Sequence, residues 1–332
     1  MQRFYVFIFL LIFLGLTFAQ TKIRFATVAP EGSTWMKVMD EYVQAVEDAT
    51  NKEVIFKVYP GQVAGDEKDV LRKIRIGQLD SGGFTGVGLG EIVPEVRILD
   101  APFLFRTHKE IDYVSNRLFD YFNQKFDEKG FVLLGWAEVG FVYVFTNQPI
   151  NSLADMSGVK MWMWEGDPIA EATFSAFNIS PIPLSITDVL TSLQTNLIDG
   201  VYISPLACVA LQWYTKVKYM LNLPLADSNG AVLLAKKTFN KLSDAQKNIL
   251  RELSRKYFGQ LTRLSREDNQ KSLDLLKEAG ITFTEIKDQK AIEGFYTSGK
   301  KARHDLIGKL YDEDFLQRVE SLVQEVRAKE AK

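Results

Sequence analysis

Two tryptophans one residue apart, Trp162 and Trp164 in "GVKMWMWEGDP" (158–168), are the residues whose type and spacing point most directly to recognition. In an extended segment the side-chain period is two, so both indoles share a face with Lys160, while Val159, Met161 and Met163 take the other. Glu165 and Asp167 follow, and Asp167 before Pro168 reads as a helix N-cap. An indole pair at the carboxyl end of a strand can wall a ligand crevice, because crevices open at such ends in α/β sheets. Any single indole reads better as a core or domain-packing residue, whereas the pair shares a face. All five tryptophans, Trp35, Trp136, Trp162, Trp164 and Trp213, fall at or near predicted strand ends or loop-to-helix junctions.

Bond-making chemistry is poorly supplied. The only histidines are His108 and His304, so HExxH and Cys/His zinc sites are excluded by count and no metal is expected. No GxSxG occurs, and no acidic pair stands out for a glycosidase. The glycine run "DSGGFTGVGLG" (80–90) lacks the third gap of GxGxxG and has no GK[ST], so no nucleotide cofactor is expected. Its glycines are expected to form backbone turns beside a cleft.

The elements that must hold these residues alternate between period two and period 3.6, which predicts an α/β protein. Strands are expected at Ile23–Val28, Val54–Tyr59, Phe131–Trp136, Phe141–Thr146 and Val159–Trp164. Ser33 or Thr34 caps a helix with the stripe Met36, Met39, Val43, Val46, and Asp66–Ile76 is a second helix, closed by Gly77. Ser243 with Gln246 forms a capping box, opening about 35 helical residues to Ala279. Such a helix is long enough to lie across two domains.

Arg3, the apolar run Phe4–Leu16 and the small residues Thr17 and Ala19 read as a signal peptide cut after Ala19. An uncleaved anchor would need about 20 apolar residues, and Gln20 is not the cysteine of a lipoprotein. Removing Arg3 takes the net charge from −2 to near −3, so no nucleic-acid surface is implied. Cys208 is the lone cysteine, so no intramolecular disulfide forms and the core alone holds the fold. A mature chain of about 313 residues exceeds what one core usually fills, and two domains are expected.

"VYPGQVAGDEKDVLRKIRIGQLD", "PEVRILDAPFLF", "SLADMSGVKMW", "DVLTSLQTNLIDG" and "WYTKVKYML" together resemble the DctP-type extracytoplasmic solute-binding proteins of TRAP transporters, over nearly all of the mature chain. The resemblance implies a periplasmic-binding-protein fold: two α/β domains, an interdomain cleft that closes on ligand, and a long helix spanning both. It implies residues 20–144 plus about 228–260 in one domain and 145–227 plus about 261–332 in the other. A small and a large membrane permease subunit would accept the ligand, and a periplasmic helical-repeat helper is a further partner. The binding protein itself is not an enzyme.

This chain departs from the family where charge is read. The family's carboxylate-binding arginine in K-I-R is Trp162 here, in Lys160-Met161-Trp162, and the arginine of G-x-R is Val142. The asparagine after the DG turn becomes Ile203 or Ser204. A charge-assisted hydrogen bond contributes about 1.5–3 kcal/mol, and an arginine fork makes two. Covering about a third of two indoles returns roughly 3 kcal/mol of apolar contact. The resemblance therefore implies an aromatic wall of Trp162, Trp164, Val142, Trp136, Tyr202, Trp213, Trp35 and Phe84, with Ser204 and Glu138 as polar members. The wall suits an apolar ligand, or a quaternary amine countered by Glu138, Glu165 or Asp167. Trp213 and Tyr214 read equally as interdomain packing. A ligand sensor or lipid carrier with a non-permease partner is the alternative role.

Overall fold

The computed structural model describes residues 20–330; the expected leader, residues 1–19, lies outside them. Among the described residues the strands are β1 (Thr21–Thr27), β2 (Val54–Tyr59), β3 (Ser81–Thr85), β4 (Phe131–Trp136), β5 (Gly140–Thr146), β6 (Trp162–Trp164), β7 (Ile182–Leu184), β8 (Gly200–Ile203), β9 (Tyr219–Leu221), β10 (Ala226–Ser228), β11 (Gly230–Ala235) and β12 (Thr282–Thr284). One sheet runs β2-β1-β3-β11-β4, with β11 antiparallel to both neighbours. The other runs β10-β5-β9-β12, with β8 on β5; the β6–β7 pair joins through a bridge from Met161 to Gly200.

Period two in the first sheet feeds two separate cores. Phe131, Leu133, Ala231 and Leu233 face the helices His108–Glu128 and Glu313–Glu330, while Val132, Leu134, Val232 and Leu234 face Thr34–Ala49 and Asp244–Glu278. A strand covered on both faces reads as one apolar run, which is why "GAVLLA" in β11 shows no polar alternation.

The long helix, Asp244–Glu278, starts at the expected capping box, Ser243 with Gln246. Leu250, Phe258 and Leu261 bury in the first unit, and Leu276 in the second. Its position across both units matches the expectation. No helix among the described residues is long and apolar enough to cross a membrane.

Two chain crossings join the sheets. β4 passes into β5 through residues 137–139, and β10 into β11 through Asn229. Ala137 N–H donates to Gly230 (2.7 Å) and Val139 N–H to Ser228 (2.9 Å), so the crossings are paired. Gly140 sits at φ +118°, and the Asn269 side chain fills the space a Cβ would need. Asn269 bridges Val139 O (2.7 Å) and Leu206 N–H (2.9 Å), tying the long helix to the crossing.

One expected grouping differs. The resemblance puts the segment to residue 332 in the second unit, whereas Glu313–Glu330 packs on His108–Glu128 in the first, with Phe315 stacked on Tyr121 and Arg327 paired with Glu110 (2.8 Å). An amphipathic helix carries no label for which sheet it returns to.

Candidate functional site

A cavity of about 190 Å³ lies between the two units. Its first-unit wall comes from the loop after β1, the end of β3 and the short 3-10 helix Pro94–Asp100; its second-unit wall comes from β6, β8, β10 and the helix Pro168–Ala176. The glycines of 82–90 are explained here. None has a positive φ, so they form no left-handed turn. They lie in β3 and the short helix Gly86–Gly90, where a Cβ on Gly83 would strike Trp35, and one on Gly86 would strike Asp100. The expected turns are replaced by close approach of backbone to the cavity wall.

Trp162 anchors the aromatic side. It is 2% exposed, stacked on Tyr202 (5.0 Å between centroids), tilted on Trp164 (5.9 Å), and its Nε1–H donates to Leu184 O (3.0 Å). Tyr202 packs edge-on with Phe174 (5.6 Å). Buried indole N–H groups need partners, and both have them: Trp164 Nε1–H donates to Asp66 (3.0 Å).

That Asp66 contact crosses the cleft. Asp66 caps the helix Glu67–Arg75 of the first unit by accepting from Glu67 N–H (2.5 Å). It also accepts from Trp164 and from Ser185 Oγ–H (2.6 Å) of the second unit. Lys68 Nζ donates across to Glu165 O (2.9 Å).

The polar side of the cavity holds a buried arginine. Arg97 pairs with Asp167 (Nη2–Oδ1 2.9 Å) and Asp100 (Nε–Oδ2 3.1 Å), and all three line the cavity. Asp167 also caps its helix, accepting from Ile169 N–H (3.0 Å), as expected from Pro168. Burial, only partly offset by Arg97 and by the Asn229 N–H, pushes the Asp100 carboxyl up to about 7. Burial likewise pushes Glu67, which accepts from Thr85 and Gly88, up to about 7. Asp227 has both oxygens buried without a hydrogen-bond partner; burial, Glu138 and Asp100 hold its carboxyl well above the usual range.

Of the residues expected at the site, Trp35, Phe84, Val142, Trp162, Trp164, Tyr202 and Ser204 line the cavity. The Ser204 hydroxyl is spent capping Pro205–Ala210, accepting from Ala207 N–H (3.3 Å). Four lie elsewhere. Trp213 stands behind Trp162, edge-on at 5.2 Å, as packing. Trp136 packs on Phe119 and Phe122 and donates to Ser115 O (3.3 Å). Glu138 is bonded to Arg266 near the crossings, and Glu165 is exposed. Arg97, Asp100 and Asp66 were not anticipated. The signal for the first two was the i, i+3 opposite charges set in the apolar run of "PEVRILD".

The likeness to known proteins is broad. The chain is 27% identical over 282 residues to the 2,3-diketo-L-gulonate-binding periplasmic protein YiaO of Escherichia coli, covering 82% of this chain and 84% of that one. It is 23% identical to the sialic acid-binding periplasmic protein SiaP of Vibrio cholerae, over 80% of this chain and 83% of that protein. The fold superposes on the sugar acid binding protein DctPAm of Advenella mimigardefordensis, in complex with galactonate, with a TM-score of 0.86 at 20% identity, covering 92% and 98% of the two chains. The family model DctP, bacterial extracellular solute-binding protein family 7, matches residues 25–302, and the chain belongs to that family.

Proposed function

We propose that this protein captures a largely apolar ligand without a carboxylate in its interdomain cavity, in the periplasm, and delivers it to the membrane subunits of a TRAP transporter. It makes and breaks no bond. The transport role is supported by the family and by relatives named as periplasmic binding proteins. The ligand class is supported by one observation: Trp162, stacked on Tyr202 in the cavity wall, and Val142 stand where the family resemblance leads one to expect arginines. The relatives are named for anions such as diketogulonate, sialic acid and galactonate. A carboxylate closed into this cavity without its fork would carry several kcal/mol of uncompensated desolvation, on the order of its whole binding energy. The three counter-charges that the quaternary-amine reading names are engaged or outside the cavity: Glu138 bonds Arg266, Asp167 bonds Arg97, and Glu165 is exposed.

The test is mass spectrometry of an organic extract of the protein, exported in its native host and purified without detergent. A stoichiometric apolar molecule is expected. A sugar acid at one equivalent would overturn the ligand class. Permease genes beside this one would separate transport from a sensor or carrier role.

A further inference from the structure

We infer that Asp167 is a built-in counter-anion for Arg97, occupying the guanidinium that a carboxylate ligand would need and so setting the cavity's selectivity against acids. The inference rests on the apolar reading above and names the residue that enforces it. An arginine in a binding cavity ordinarily invites an anion, since its planar fork matches a carboxylate. Arg97 is such a residue, 4% exposed, on the cavity wall of the first unit. Its counter-charges are already in place. Asp167 accepts a hydrogen bond from it at 2.9 Å from the opposite unit, and the Asp100 carboxylate lies 3.1 Å from Nε as a charge neighbour without a hydrogen bond.

Neither acid is free to swing aside. Asp167 is fixed by Ile169 N–H (3.0 Å) at the start of its helix and lies 3.5 Å from the Tyr202 hydroxyl. Asp100 accepts from Asn229 N–H (2.9 Å). One buried cation thus faces two buried acids, and an incoming carboxylate would meet like charge where it seeks a fork. The contact also joins the two units across the cavity, Arg97 coming from one and Asp167 from the other. The cleft therefore supplies from its own chain the ion pair that a carboxylate ligand would otherwise form with Arg97.

Asp167→Asn isolates this role. Asparagine keeps an oxygen to cap Ile169 and to accept from Arg97, and it is an equally good N-cap. Isothermal titration of the purified chain would use four probes: 3-phenylpropanol, 3-phenylpropylammonium, 3-phenylpropanoate and galactonate. The wild-type chain is expected to bind phenylpropanol at least tenfold more tightly than phenylpropanoate, and not to bind galactonate. Asp167→Asn should raise phenylpropanoate affinity at least tenfold while phenylpropanol moves less than threefold. Adding Arg97→Gln should remove that gain. The ammonium probe reads the opposite sign and should weaken in Asp167→Asn.

Equal binding of phenylpropanol and phenylpropanoate by the wild type would overturn the inference and leave the apolar cavity standing. So would an Asp167→Asn variant of unchanged melting temperature with the same order of affinities. If Asp167→Asn fails to fold, Asp167→Ser, which keeps an oxygen for the N-cap and removes the charge, replaces it with the same expected gain for phenylpropanoate, and no gain overturns the inference. Galactonate binding with no phenyl compound bound, or no probe bound by either protein, would remove both the inference and the apolar reading.

Discussion

Trp162 and Val142 carry the ligand argument at the scale of single residues, and both are open to substitution. The double variant Trp162→Arg, Val142→Arg places two guanidinium groups in a cavity whose one arginine already has its acids. The natural ligand's affinity should fall more than tenfold by titration, and stability by about 3 kcal/mol by denaturant melt, the scale of an unpaired buried charge. Unchanged affinity would mean the ligand sits elsewhere. The buried acids give a second prediction. Glu67 and Asp100 are each pushed up to about 7 by burial, and Asp227 well above the usual range. A carboxyl that holds its proton more tightly folded than unfolded favours the folded state at low pH. That contribution is present below about pH 4 and is lost as pH rises toward 7, by on the order of 3 kcal/mol for Glu67 at about 1.4 kcal/mol per unit. The ligand-free melting temperature should therefore fall between pH 5 and pH 8. A flat or rising profile over that window would show these acids ionised in the folded chain. The tryptophan pair was legible because period two alone puts two indoles on one face. Arg97 was not, because its partner Asp167 lies 70 residues away and only the folded cleft brings them together.

The elements were legible where a local rule decides them. The capping box at Ser243 fixes one end of the long helix without help from tertiary contacts, and the helix appears from Asp244 to Glu278. Ser243→Ala should lower stability by about 1 kcal/mol, the usual worth of an N-cap, and leave ligand affinity within twofold, since the cap is remote from the cavity. A larger loss of affinity would mean that the helix end transmits to the cleft. The glycine run was half legible: its place beside the cleft was right, its turns were not, because absence of a Cβ serves close packing as well as positive φ. Gly83 and Gly86 make room for Trp35 and Asp100, which no local pattern announces. Where the chain crosses between sheets carries no local pattern: Phe145 is paired opposite Val201, and Leu225 is bonded to Val142 just before β10. The step between the sheets is at 137–139 and Asn229, outside β4, β5, β10 and β11, with Gly140 at positive φ beside it.

For the whole molecule, the contacts across the cleft say what holds the two units together. Asp66 is bonded from the second unit by Trp164 and Ser185 while capping a helix of the first, and Arg97 reaches Asp167. If the units rotate apart about residues 137–139 and Asn229 on ligand release, all three would be lost and would favour the closed form by their free energy. Asp66→Ser separates this role from the cap. Serine caps a helix as well as aspartate does, yet is one bond too short to keep both cross-cleft partners. Two hydrogen bonds to a charged acceptor contribute about 1.5 kcal/mol each or somewhat less at a partly exposed site, and every 1.4 kcal/mol is tenfold in affinity. Ligand binding by Asp66→Ser should weaken ten- to a hundredfold with helix content unchanged by circular dichroism. In small-angle scattering the ligand-free wild type should be more expanded than the ligand-bound form. Asp66→Ser should need more ligand to reach the same compact radius. If wild type shows one radius with and without ligand, the cleft does not close on its ligand, and the cross-cleft bonds are packing instead of a latch.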